Sequence, residues 1–407
     1  MKATQKTIQE HNIGLILKYI KEEIGITRIK LSKLTGLSKS SVSNIVNALI
    51  KKSVIWEDGK IESEFGKKPT KLRFNKDYRY ILAIQIEQDN ITIVLSNLNG
   101  EFIYRIEEKP YPKNNRNEIL ECIFSLVNKI LINSKQIMNK ILVISIGTHG
   151  VVNPQNNITT NAPYIEGWDG INLVDIFKKK YKKDIILNNS INLGSIGEQW
   201  INYKKIRNLV YIDISFGIGA GIIINNELVV GCTGTMGEIS YLPILNHYNY
   251  NDLIKNTSEL GLFESQVDIA GITNTVKKRL KNLKELKIGT INKQFDEIAF
   301  DDICLYYKNG VAEIREIIDN EIIKILALGI ASIITIIDTE LIILNGYIFK
   351  LGEIFFKKLK KEVSDIIPFK PKIIQSKLGN ESHIMGAIKK GIDYSNNELY
   401  SNFLTIK

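Results

Sequence analysis

Residues 35–52 read TGLSKSSVSNIVNALIKK, a run without one acidic side chain in a protein of which 24% is charged. Val42, Ile45, Val46, Leu49 and Ile50 recur at helical spacing and form one apolar face. The opposite face carries Lys39, Ser40, Ser41, Ser43, Asn44 and Asn47, with Ser38 placed to cap the helix. Upstream, Thr27 is a cap for a short helix RIKLSKLT, and Gly36 supplies the left-handed residue that ends it. Two short helices joined by a glycine turn, the second faced with small polar side chains, have the layout of a helix-turn-helix. Only a helix with short side chains on its outer face can sink into a major groove, where Ser, Asn and Lys reach base edges and phosphates. Arg28, Ser38, Lys39, Ser40, Ser41, Ser43, Asn44 and Asn47 are therefore candidate DNA contacts. A helical protein-interaction module with a solvated face would share the periodicity.

The distribution of charge favours DNA. Residues 1–76 hold 16 Lys/Arg against 7 Asp/Glu, a net of +9, whereas the remaining 331 residues carry a net of only +1. Between Glu23 and Glu57 there is no acid, while Arg28, Lys30, Lys33, Lys39, Lys51 and Lys52 are present. A basic module on an electrically balanced body suits a polyanionic partner. After the third helix, VIWEDGKIESEF and PTKLRF alternate as two strands of a wing would, with Asp58-Gly59 as a tight turn. In GKKP, residues 66–69, Lys67 and Lys68 either reach a minor groove or belong to a basic linker.

With 407 residues and 44% apolar content the chain is expected to form two or three folded units. Cys122, Cys232 and Cys304 are far apart and odd in number, so neither a disulfide framework nor a clustered metal site is read, and a reducing, cytoplasmic setting is expected. The apolar run IIKILALGIASIITIID from Ile322 is interrupted by Lys324 and short of a membrane span, so it is read as a buried helix. From Tyr80 onward YILAIQI, ITIVLS and EFIYRIE read as strands, residues 117–133 as a helix, and ILVISIG, DIILNN, LVYIDIS and GIIIN as further strands. The pattern predicts two α/β lobes around a cleft.

TGLSKSSVS, GKKPTKL, SIGTHGVVNPQNN, APYIEGWDGINL, IILNNSINLGSIGEQW, GIGAGIIINNELVVGCTGTMGEI, DTELIILNG and GNESHIMGAI together resemble the ROK family of repressors and sugar kinases, from about residue 8 to residue 395. The resemblance implies an N-terminal winged helix-turn-helix followed by a two-lobed α/β body of the actin/hexokinase (ribonuclease H-like) fold. The implied domains are 1–75, then 76–188 plus 385–407 as the first lobe, and 189–384 as the second. It also implies what is missing. Where the family's kinases have DIGGT this chain has QIEQD, residues 85–89, so Glu87 and Gln88 replace two glycines that would cradle phosphate. SFGIGAG, residues 215–221, replaces GTGIGAG, and Ser190 stands in place of the catalytic Asp of the E-N-D-x-N motif. A serine hydroxyl is no base near neutral pH without an activating partner. Tyr241 replaces the usual zinc-binding His, no cysteine cluster follows, and His247 alone makes no site. No catalytic residue, metal or cofactor is therefore assigned.

The sugar-facing positions persist by the same resemblance. Asn189, Glu238 and Glu264 match positions that bond sugar hydroxyls, and Gly147, Thr148, His149 and Gly150 match the turn at the pocket floor. Ser190 and Tyr241 would line the same pocket, while His149 is open to two readings, ligand contact or turn filler. The expected protein is a sugar-responsive repressor, bound as a homodimer or homotetramer to double-stranded operator DNA. Xylose or a related pentose is the first candidate effector, ahead of glucose or N-acetylglucosamine. The alternatives are an active ATP-dependent sugar kinase with a DNA-binding arm, and a regulator whose body docks a protein partner.

Overall fold

The computed structural model describes residues 5–60, 69–88, 90–109, 115–132, 135–163, 165–244, 261–281 and 295–402. Lys67, Lys68 and His247 lie outside the described residues. Three helices open the chain, α1 (Gln5–Glu22), α2 (Arg28–Thr35) and α3 (Lys39–Lys51). Local chemistry sets their ends as expected. Thr27 Oγ1 accepts from Lys30 N at 3.3 Å, Gly36 takes φ 71°, and Ser38 Oγ accepts from Ser41 N at 3.1 Å. Each such cap contributes about 1 kcal/mol. Val42, Ile45, Val46 and Leu49 are buried against α1 and α2.

Strands β1 (Ile26–Thr27), β2 (Ile55–Lys60) and β3 (Thr70–Phe74) pair antiparallel in the order β1-β3-β2. Asp58-Gly59 makes no turn. The register between β2 and β3 shifts between Glu57 and Lys60, so Gly59, at φ 71°, forms a bulge inside β2 and the strand continues past it.

The body uses one strand plan twice. β4 (Tyr80–Ile86), β5 (Ile91–Asn97) and β6 (Phe102–Glu108) form an antiparallel meander, which β7 (Ile141–Thr148) extends in parallel. After the two-residue strands β8 (Val151–Val152) and β9 (Thr159–Thr160), β10 (Asp184–Asn189) completes the order β10-β7-β4-β5-β6. The second sheet repeats it: β11 (Leu209–Ile214), β12 (Ile218–Ile224) and β13 (Glu227–Leu228) run antiparallel, then β14 (Leu341–Asn345) and β15 (Lys372–Gln375) add in parallel, giving β13-β12-β11-β14-β15. Every residue of β5 and of β11 is buried, which is why they read as largely apolar runs without polar alternation.

Helices α4 (Arg116–Ile132), α5 (Lys135–Lys140) and α6 (Leu173–Tyr181) accompany the first sheet, and Ile119, Leu126 and Phe177 of α4 and α6 join its core. Between the sheets α7 (Ser190–Asn202) rests on β11 and β12. The longer helices that accompany the second sheet are α8 (Ile269–Lys281), α9 (Phe300–Asn309), α10 (Ile323–Ile337) and α11 (Glu353–Ile366). The apolar run from Ile322 becomes α10, a core helix with Leu326, Ala327 and Ile330 buried.

Helix α12 (Glu381–Asn402) crosses α7 and packs on β4 and β7. The crossing is tight enough that a Cβ on Gly197 would lie 2.0 Å from Ser382 O, and one on Gly386 would lie 1.9 Å from Leu193 O. Further along, α12 meets the N-terminal helices: Lys21 Nζ donates to Asn396 Oδ1 at 2.7 Å and stands 4.3 Å over the Phe74 ring. Burial lowers the Lys21 ammonium to about 8 against the opposing pull of Asp393. The core of α1–α3 thereby continues into Ile384, Ile388 and Ile392 of α12.

Replacing Gly197 or Gly386 by Ala forces backbone apart at this crossing. We expect each to cost about 1–3 kcal/mol or more, read as a lower midpoint in urea unfolding of the full chain; an unchanged midpoint would contradict the packing described.

Candidate functional site

Residues at or just past the C-terminal ends of β4, β7, β10, β11 and β14 line one common space, the place where open α/β sheets hold ligands. A cavity of about 510 Å³ lies between them, within the range of small-molecule sites. His149, Gly150, Asn189, Ser190, Glu238, Tyr241 and Glu264 line it, drawn from segments far apart in the chain.

Gly147 and Thr148 do not line it, contrary to the sequence reading. Gly147 lies under the Gln85 side chain, whose Oε1 would stand 2.1 Å from a Cβ there. Thr148 is buried and its Oγ1 accepts the Trp168 indole N–H at 2.9 Å. Asn189 is mostly engaged within the protein: its Oδ1 accepts from Ile191 N and Asn192 N, capping α7, and its Nδ2 donates to Gly150 O. One amide hydrogen remains for a ligand.

Two carboxylates stand out. Glu264 Oε2 accepts from Ile218 N at 3.2 Å, which anchors it at the start of β12. Glu238 precedes a short 3-10 turn, Ile239–Tyr241. Its carboxyl is raised to about 7, first by burial and then by the charge of Glu264. Ser190 Oγ accepts from Gln85 Nε2 at 2.6 Å.

The cavity is also lined by an arrangement that sequence reasoning missed. His383 Nδ1 meets Glu87 Oε1 at 2.7 Å, and its Nε2 lies 3.6 Å from Asp213 Oδ2. Asp213 also accepts from Asn345 Nδ2 and Ser215 Oγ, each at 2.6 Å. Burial alone would lower the imidazole, but the contacts with Asp213 and Glu87 outweigh it and raise His383 to about 10. Burial would raise Asp213, yet His383, Ser215 and Asn345 hold it below the usual carboxylate range. Glu87 is thus a paired charge. Beside it, Phe216 and Tyr347 meet edge to face at 5.3 Å. One signal was available in the sequence: GNESHIMGAI carries one of only four histidines in the chain.

In the N-terminal unit Lys39, Ser40, Asn44 and Asn47 are exposed on α3, and Ser43 is half-buried. Ser38 and Ser41 bond each other at the cap, with Oγ atoms 2.9 Å apart. Arg28 is held inside the unit, Nη1 to Glu57 at 2.7 Å and Nη2 to Asn47 Oδ1 at 3.1 Å. Lys30 pairs with Glu23, so the two acids that border the acid-free run fold back onto it.

The raised Glu238 value fixes a sign. The folded state holds this proton more tightly than the unfolded chain, so the stability that Glu238 contributes is fully present below about 4.5 and is lost as pH rises through about 7. Asp268, raised to about 7 by burial, adds a parallel slope. Glu238→Gln should flatten the decline between about pH 5 and 8 without abolishing it, by about 1.4 kcal/mol for each tenfold difference in proton affinity between folded and unfolded chain that it removes, measured by urea titration across that range.

Comparison with known proteins agrees with this architecture. The ROK family profile matches residues 81–390. The xylose repressor of Caldicellulosiruptor bescii is 30% identical over 387 residues, covering 94% of this chain and 95% of that protein. A ROK family transcriptional regulator, homologue of the E. coli MLC protein, superposes with a TM-score of 0.79 at 21% identity, over 97% of this chain and 98% of its own. A ROK family glucokinase from Streptomyces griseus, solved with glucose and AMPPNP, matches at a TM-score of 0.63 and 17% identity, over 76% of this chain and 98% of its own. The body therefore has the sugar-kinase-like, actin/hexokinase-type fold, and the chain belongs to the ROK family.

Proposed function

We propose that the protein is a sugar-responsive transcriptional repressor in which a winged helix-turn-helix reads DNA and the cavity between the sheets binds the effector. One observation carries the reading: Glu87, His383 and Asp213 form a buried ion network at the end of β4, beside the site of the lost phosphate turn, while the carboxylates of the sugar side remain. Glu238 and Glu264 offer acceptors to hydroxyls, the chemistry of a neutral polyol. A nucleotide would bring phosphates against Glu87 and meet the Phe216–Tyr347 pair. Ser190 supplies no base, because an unactivated hydroxyl is too weakly basic near neutral pH and its neighbour Gln85 is an amide that donates to it. The similarity to a xylose repressor makes xylose the first effector to try.

The units of this reading are residues 1–75, 76–188 with 385–407, and 189–384. The two-fold use of one strand order supports the division of the body. The working assembly is a cytoplasmic homodimer or homotetramer, whose paired reading heads suit an operator with two half-sites. Sugar releases or strengthens DNA binding only by favouring one geometry of the assembly over another.

The direct test is to sequence DNA fragments retained by the purified protein with and without xylose, glucose or N-acetylglucosamine. A common motif lost or gained with one sugar is the expected result. Turnover of ATP with any sugar at about 1 per second or faster would overturn the non-enzyme reading. On the operator found, Asn44→Ala should cost about 1–3 kcal/mol and relax base preference, whereas Lys39→Ala should weaken all sequences alike and lower the salt slope by about 1; both are read by titration at several salt concentrations.

A further inference from the structure

His383 lies in the first turn of α12 and is 7% exposed. The polar contacts it makes continue in both directions. Towards the cavity, Glu87 Oε1 is 3.4 Å from Gln85 Nε2, and that same nitrogen donates to Ser190 Oγ at 2.6 Å. Towards the second sheet, Asp213 is fixed by Asn345 and Ser215. The run therefore joins the sugar side of the cavity to both sheets through one imidazole.

This arrangement dictates what Ser190 can read. Gln85 is buried, and its amide can present either nitrogen or oxygen to Ser190. The carboxylate of Glu87 accepts only from the nitrogen, which settles the choice. With its oxygen already receiving a hydrogen bond, the Ser190 hydroxyl has its own hydrogen left to donate into the cavity. It is set to meet a lone pair of a ligand, such as a sugar hydroxyl or ring oxygen.

The far side of His383 is equally specific. From His383 to Asn396, α12 runs about 20 Å at 1.5 Å per residue, and Asn396 receives Lys21 of α1. The helix that carries the imidazole at the cavity thus carries the DNA-reading helices at its other end.

The geometry points to His383 as a positioning residue for the effector: through Glu87 and Gln85 it orients the Ser190 hydroxyl toward the sugar, and it ties that orientation to α12. The inference rests on the sugar-binding reading above. A sugar that draws Ser190 toward itself pulls on Gln85 and Glu87, and the strain reaches α12 through the imidazole. The groups facing the ring are Glu87 beyond β4, Asp213 and Tyr211 of β11, with Glu198 of α7 behind Tyr211.

The test uses the full chain, its operator, and D-xylose, glucose and N-acetylglucosamine as probes. In calorimetry, His383→Gln and Glu87→Gln should each lose about tenfold or more in affinity for the sugar that the parent binds, and the ratio of operator affinities with and without sugar should fall toward one. Histidine-selective NMR adds a readout that a purely structural role leaves unmoved. Of the four imidazoles, one should stay protonated through about pH 8.5, vanish in His383→Gln, titrate lower in Glu87→Gln, and shift on adding sugar. A parent protein that binds none of the probes refutes the sugar reading and this role with it. A parent that responds to sugar while both variants respond equally, with the imidazolium signal indifferent to sugar, overturns the role of His383 alone. Should His383→Gln fail to fold, the shape-preserving Glu87→Gln decides by the same two measurements.

Discussion

The close crossing of α7 and α12 is the constraint on which the rest of the molecule depends. Gly197 and Gly386 bring backbone against backbone, so neither helix can slide or swing independently of the other. One helix begins at Ser190 and the other begins two residues before His383, and both residues line the cavity. Their first turns also present the positive ends of two helix dipoles to the same space, which favours the carboxylate of Glu87 there. A buried acid, a buried imidazole and an open cavity coexist because the scaffold around them holds its dimensions.

The polar interior of the cleft is chemically coherent. Burying Glu87 or Asp213 alone would cost several kcal/mol, and His383 between them relieves both. Positions that read separately in the sequence are linked in space: Glu87 pairs with His383, and Gln85, next but one to Glu87, donates to Ser190. Glu87, His383 and Asp213 give the cleft a fixed internal set of charges. The other carboxylates of the lining are Asp169, Glu238 and Glu264, which can accept from hydroxyl groups.

What was legible in the sequence was legible because its causes are local. Thr27, Gly36 and Ser38 set helix ends through neighbours within three or four residues, and the apolar stripe of α3 is a matter of spacing. The strand plan of the body followed from apolar runs and turns for the same reason. Asp58-Gly59 misled because a glycine at positive φ serves a bulge as readily as a hairpin, and only the pairing with β3 distinguishes them. Gly147 reads as part of the pocket floor, yet its need for a missing side chain comes from Gln85, on the neighbouring strand. The imidazole that lines the cleft was unreadable, since nothing within its own segment shows that Glu87 and Asp213 converge on it.

The separation between those partners has a kinetic meaning. Glu87 and His383 are 296 residues apart in the chain, so the first sheet acquires its covering helix only after the whole second lobe has been made. Closure over such a span is entropically slow to find. Until it happens, Ile81 and Ala83 of β4 and Val143 of β7 lack the helix that shields them, leaving a sticky surface on a partly made chain. The N-terminal helices await the same segment for part of their core, so a nascent molecule completes its grip on that module late, after synthesis has passed through the rest of the body.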